Sequence, residues 1–166
     1  LQSLKRQGRY LLGAPRLVWV FERQRLPKKL TIYTDANYAG CVTTRKSTTC
    51  VVVMMGQHLI KFGSWTQGIL ALSVGESEFY ACAKGASVSL GIQSILKDWG
   101  LDLMIELRTD SSSSLGTAAR RGAGTLRHIE TPYLWLQQAR QRRQLELVKW
   151  PGTKNPADLD TKVLNG

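Results

Sequence analysis

Four carboxylates stand where local structure would carry a side chain to an edge. Asp35 ends the alternating run KLTIYTDANYAG, residues 29 to 40; Glu78 heads the longest helical pattern; Asp110 ends a second strand-like run; Asp158 opens the last helical segment. Mg²⁺ is a hard cation that takes oxygen ligands, carboxylates prominent among them. Two such ions about 3.5–4 Å apart clamp a phosphodiester, one activating the attacking water and the other stabilising the leaving oxygen. Holding both ions takes several carboxylates from different elements, and these four fit that need.

Each acid also has a purely structural explanation. A strand-terminal Asp35 is an ordinary turn residue. Asp110, followed by four serines, is a good helix N-cap. Asp158 falls in the first turn after Asn155-Pro156, where the helix dipole favours acids, and for this residue alone the structural explanation is the stronger. Glu76, three residues after Ser73, is explained as part of a capping box. Glu78 is not explained by capping, and it heads a stripe of small residues (Ala81, Cys82, Gly85) rather than a solvated face.

The elements that must position these acids follow from periodicity. Leu30, Ile32 and Thr34 alternate with Thr31, Tyr33 and Asp35, a period-two strand. Residues 41–48 read as a polar turn, Thr49 to Met55 as a central strand, and His58 to Trp65 as its hairpin partner. Residues 72–100 form a long helix apolar on two sides, stopped by Gly100. Residues 103–109 are a fourth strand, Ser111 to Arg121 a short helix, Thr131 to Gln144 another with Thr131 as cap, 145–150 a fifth strand, and Pro156 to Leu164 a last helix capped by Asn155. Ahead of them lie an amphipathic helix over 1–13, a strand from Arg16 to Phe21 and a basic connection over 22–29. This order predicts an α/β fold, a mixed five-stranded sheet with helices on both faces. A strand, a crossover helix and a strand imply parallel pairing, which would set Asp35 beside Asp110 at one C-terminal edge.

Composition narrows the partner. The 166 residues fit one domain with a short appendage, and 43% apolar content is enough for a core. Lys and Arg number 23 against 12 acids, a net +11 that points to a polyanion, nucleic acid above all. Three cysteines without a CxxC pair argue against a disulfide framework or structural zinc, and read as buried small hydrophobes in a reducing compartment. No apolar run approaches the roughly 20 residues of a membrane span. Chemistry alone nominates Arg45, Lys46, Lys61, Arg120, Arg121 and Lys154 for phosphates. His128, in a basic segment, is either a phosphate contact or a surface histidine, and Trp65 either core or a base-stacking platform.

TDANYAG, the RKST segment after it, ALSVGESEFYA, RTDSSSS, RHIETPY and KNPADLDTK, in that order, resemble the ribonuclease H domain of copia-type retrotransposon Pol polyproteins across about residues 30 to 164. LKRQGRYLLGAPRLVW resembles the end of the reverse transcriptase portion of the same polyproteins. The resemblance implies two regions: residues 1–28, the tail of the reverse transcriptase connection, and residues 29–166, the ribonuclease H domain. It implies a ribonuclease H-like fold and hydrolysis of the RNA strand of RNA–DNA hybrids with two Mg²⁺ ions, Mn²⁺ being the alternative. Asp35, Glu78, Asp110 and Asp158 are the implied catalytic and metal-binding acids, with Asp160 as the fallback for the last. The implied partners are the hybrid and the upstream reverse transcriptase region, with no membrane, in a cytoplasmic virus-like particle or the nucleus. The chain departs from the family pattern at three points. The loop GTKN lacks the His that many ribonucleases H carry, Asn37 stands where relatives often have a second Asp, and TDSSSS replaces a DNQSA-like stretch. Two rivals remain: a catalytically decayed hybrid-binding or structural remnant, and an integrase or transposase of the same fold family, which would need an appendage not seen here.

Overall fold

The computed structural model of this chain describes residues 2–16, 18–122, 124, 129 and 131–161. After α1 (Gln2–Gly13), the alternation in the first strand is real: β1 (Lys29–Asn37) buries Leu30, Ile32 and Thr34 completely, while Tyr33 points to the other face. β2 (Thr48–Met55) and β3 (His58–Thr66) follow as an antiparallel meander, with Asp35 opposite Cys50 and Cys50 opposite Ser64. After α2 (Val74–Asp98) the chain returns as β4 (Met104–Thr109), parallel to β1 with Tyr33 opposite Arg108. Then α3 (Ser112–Ala119) and α4 (Trp135–Gln141) lead to β5 (Leu145–Lys149), parallel to β4. The sheet order is β3-β2-β1-β4-β5, so β1 is central. Both crossovers step the same way, and the right-handed rule therefore puts their helices on one face. A single core joins Leu30, Ile32, Ile105 and Leu107 of the sheet to Phe79 of α2, Ala118 of α3 and Leu136 of α4.

α2 starts where its capping chemistry says. Ser73 Oγ accepts the Glu76 N–H at 3.1 Å, and Glu76 Oε2 accepts the Leu72 N–H at 2.9 Å. Gly85 lets the helix approach the sheet, since a Cβ there would come within 2.4 Å of Thr34 Cγ2. The α-helices that build the core gather on this face. The opposite face is covered by a 3₁₀ turn, Pro156–Asp160, whose Ala157 is fully buried against Cys50 and Val52.

Several expected elements differ. Of the apolar run expected as a strand, the described residues 16 and 18–21 form none: no ladder pairs their backbone among the described residues, and Val18, Trp19, Val20 and Phe21 are exposed. The chain is instead tied to the β2–β3 turn by side chains. Gln24 Nε2 donates to Met55 O at 2.7 Å and Gln24 Oε1 accepts the Gln57 N–H at 2.9 Å, while His58 Nε2 lies 2.7 Å from Glu22 O. The helix expected from Thr131 opens as a 3₁₀ turn, Thr131–Leu134, and becomes α only at Trp135, where Leu134 gives the α segment no side-chain cap. Tyr133 packs on Tyr80 with ring centroids 4.3 Å apart, which holds that tighter first turn against α2. The last helix is 3₁₀ over Pro156–Asp160, and its expected continuation over 162–164 lies outside the described residues. Asn155 does cap it, Oδ1 accepting the Ala157 N–H, but Asn155 Nδ2 also donates to Thr34 O at 3.0 Å, pinning the turn to β1. Cys50 and Cys82 are buried as expected; Cys41 is only partly buried, in the turn after β1.

Candidate active site

Two neighbouring parallel strands deliver their terminal acids to one edge, and the first turns of α2 bring a third. One carboxylate oxygen from each of Asp35, Glu78 and Asp110 lies within 4.8 Å of the others. Asp110 is free for this because Ser111, not Asp110, caps α3: Ser111 Oγ accepts the Ser114 N–H at 3.2 Å. Lys149 Nζ donates to the Asp110 backbone carbonyl and to Ser112 Oγ, fixing the turn that presents Asp110. Gly152, in the loop after β5, borders the same carboxylate, since a Cβ there would fall 2.6 Å from Asp110 Oδ2.

Two of these acids, Glu78 and Asp35, have their carboxyls raised. Burial pushes the Glu78 carboxyl up from 4.5 to about 8, and the charges of Asp35 and Asp110 add to the shift. Asp35 is also raised, chiefly by burial and then by Asp110 and Asp158, against a lowering hydrogen bond from Thr161. Glu78 Oε2 is buried and has no hydrogen-bond partner among the described residues. None of the three acids takes part in a salt bridge among those residues. Three converging carboxylates, one with an unsatisfied buried oxygen, form a hard-oxygen donor set that fits a divalent cation.

Asp158 is half-buried and stands outside this group of three, although its charge acts on Asp35. As expected, Asn155 caps this segment and Asp158 lies in its first turn, where acids are favoured. The basic residues nominated for phosphates occupy varied settings. Arg45 is exposed in a turn at φ 55°, and Lys46 is half-buried with Nζ donating to Gly68 O at 2.8 Å. Lys61 is exposed on β3, three residues before Ser64, which shares Asp35's level across the sheet. Arg120 donates to Thr117 Oγ1 at 3.1 Å, while Arg121 and Lys154 are exposed. His128 lies outside the described residues. Trp65 is partly core: it packs on the main cluster and carries Lys84 Nζ 5.0 Å from its ring centroid. Sequence reasoning missed Lys149, Gly152 and Thr161. Only Gly152, a glycine in a loop next to a strand end, left a signal in the sequence.

No protein-family model matches the chain. The chain is 29% identical over 135 residues to the retrovirus-related Pol polyprotein from transposon TNT 1-94 of Nicotiana tabacum, covering 80% of the chain and 10% of that polyprotein. It is 34% identical over 103 residues to the retrovirus-related Pol polyprotein from transposon RE1 of Arabidopsis thaliana, covering 62% of the chain and 7% of that polyprotein. It thus spans a tenth or less of these relatives. Among solved structures it resembles LC11-RNase H1, isolated from compost by a metagenomic approach, with a TM-score of 0.55 and 20% identity over 80% of this chain and 91% of that one. The same protein in complex with an RNA/DNA hybrid matches with a TM-score of 0.51 and 19% identity over 79% of this chain and 92% of that one. At such identities the likeness is one of fold.

Proposed function

From a ribonuclease H-like fold in a chain homologous to a segment of plant-transposon Pol polyproteins, we propose that this chain is a divalent-metal-dependent endonuclease that hydrolyses the RNA strand of RNA–DNA hybrids during retrotransposon reverse transcription. The observation that carries the reading is the convergence of Asp35, Glu78 and Asp110 with one buried oxygen of Glu78 left without a partner. Two Mg²⁺ ions, or Mn²⁺, would, when bound there, supply positive charge for activating the attacking water and steadying the leaving oxygen. Asp35, Glu78 and Asp110 would hold the metal, with Asp158, whose charge acts on Asp35, assisting them. Glu78 reaches the edge from a helix and not from a strand, so it closes the group from above the sheet.

The substrate follows from the surroundings. An A-form-like hybrid is read by shape and 2′-hydroxyls, which gives weak sequence preference. Arg45, Lys46, Lys61, Arg120, Arg121, His128 and Lys154 neutralise phosphates, so binding weakens steeply with salt. The experiment is cleavage of a labelled hybrid by the chain with Mg²⁺, beside Asp35→Asn. Wild-type cutting abolished by the substitution supports the reading. No cutting by wild type, or equal cutting by both, overturns it; salt-sensitive hybrid binding indifferent to metal would then favour a non-catalytic hybrid-binding domain.

A further inference from the structure

We propose that Asn37, Gly40 and Thr161 form a clamp that fixes the orientation of the Asp35 carboxylate, with Asn37 and Thr161 as positioning residues for the divalent-ion site. The purpose of that site rests on the nuclease reading above; the clamp itself rests on geometry. Thr161 Oγ1 donates to Asp35 Oδ2 at 2.5 Å, and both residues are buried. The same hydroxyl lies 3.1 Å from Asp158 O, but it has one hydrogen, and the shorter contact to an ionised acceptor is the stronger. A fixed donor on Oδ2 restricts how the Asp35 carboxylate can rotate.

Thr161 needs its own anchor, because the turn that carries it is a single 3₁₀ segment. Asn37 Nδ2 provides one, donating to Thr161 O at 2.9 Å. Asn37 lies two residues beyond Asp35, on the same side of β1, so one strand end holds both the acid and the group that fastens its partner. Gly40 leaves room for that amide: a Cβ at this position would sit 2.5 Å from Asn37 Nδ2 and 2.7 Å from Asn37 Cγ. An ionised Asp at position 37 has no hydrogen to donate to a carbonyl and would place a fourth negative charge beside the group. The Asn at this position is therefore the residue the clamp requires.

The test compares the full chain with Thr161→Val, Thr161→Ser and Asn37→Asp by two measurements that need no catalysis. One is the carbon resonance of the Asp35 carboxyl in metal-free protein; the other is Mg²⁺ affinity by calorimetry. The expected result is that the resonance moves in Thr161→Val and Asn37→Asp and that affinity falls about 10- to 100-fold in Thr161→Val, while Thr161→Ser keeps both. An unmoved resonance in Thr161→Val, or an equal loss in Thr161→Ser, overturns the clamp. If the wild type takes up no Mg²⁺, the nuclease reading fails and the carboxyl resonance alone decides the clamp. If Thr161→Val does not fold, Asn37→Asp against Thr161→Ser carries the same comparison.

Discussion

Glu78 and Glu106 are both buried, one on each side of the sheet, and their carboxyls shift in opposite directions. At Glu78 burial raises the carboxyl, and the neighbouring Asp35 and Asp110 raise it further. At Glu106 burial pushes the same way, but hydrogen bonds from Lys29 and Arg108, with their charges, outweigh it and hold the carboxyl below its usual range. Glu106 sits in a finished network. Lys29 pairs with it, Arg108 Nε donates to Glu106 Oε1 at 2.8 Å, Arg108 Nη1 donates to Tyr33 Oη at 2.7 Å, and the guanidinium stacks on Trp150 at 3.9 Å. The difference teaches that this chain can satisfy a buried glutamate with its own cations, yet at the C-terminal edge of β1 and β4 it gathers three acids that take part in no salt bridge among the described residues.

The sharpest way to break the comparison is Glu78→Gln. It should reduce Mg²⁺-dependent cleavage by at least the 10- to 100-fold, about, that losing a ligand's supporting contact costs. In metal-free protein it should act in the opposite sense on stability. Between 4.5 and about 8 the folded chain keeps a proton that the unfolded chain has released, so this group's stabilisation is full below about 4.5 and is lost as pH rises through about 8. Thermal melting across that range should show the wild type losing stability with pH and Glu78→Gln losing less; parallel curves would contradict the assignment. Glu106→Gln should lower the melting temperature by about 2–4 °C, corresponding to roughly 1 kcal/mol in a domain of this size, with cleavage unchanged. Its sign runs the other way, because a lowered carboxyl stabilises above its ordinary 4.5 and fades as pH falls through the folded value. The smallest effect is expected for Arg108→Lys, which keeps the charge but loses the planar stack on Trp150 and costs less than about 1 kcal/mol, read from denaturant midpoints.

The site was more legible in the sequence than the elements around it. Asp35, Glu78 and Asp110 could be read because each ends or heads a periodic element, and strand order then fixes which edge they share. Asp158 resisted, since its place depends on how the last turn docks, and that is set by Asn155 reaching Thr34 from 121 residues away. The run 16–21 has strand composition, but among the described residues nothing pairs with residues 16 and 18–21 to complete a ladder, and composition does not report neighbours. Thr131-Pro132 marks a helical start, but whether the first turn is α or 3₁₀ depends on the contact of Tyr133 with Tyr80. Thr161 carries no local signal, because its partners lie 126 and 124 residues back along the chain.

These separations have a kinetic meaning. The β1–β2–β3 meander closes through short turns, whereas the bond from Arg108 to Tyr33 spans 75 residues and the one from Thr161 to Asp35 spans 126. Loop-closure entropy makes the long-range pairings late events. A chain emerging from its N-terminus can therefore assemble the meander, then the parallel pair and the three converging acids, while Asp35 still lacks its hydrogen-bond donor. The hydrogen-bond donor to Asp35 would arrive only once residue 161 has docked, so a polypeptide ending before that residue would possess the sheet before it possessed a fixed Asp35 carboxylate.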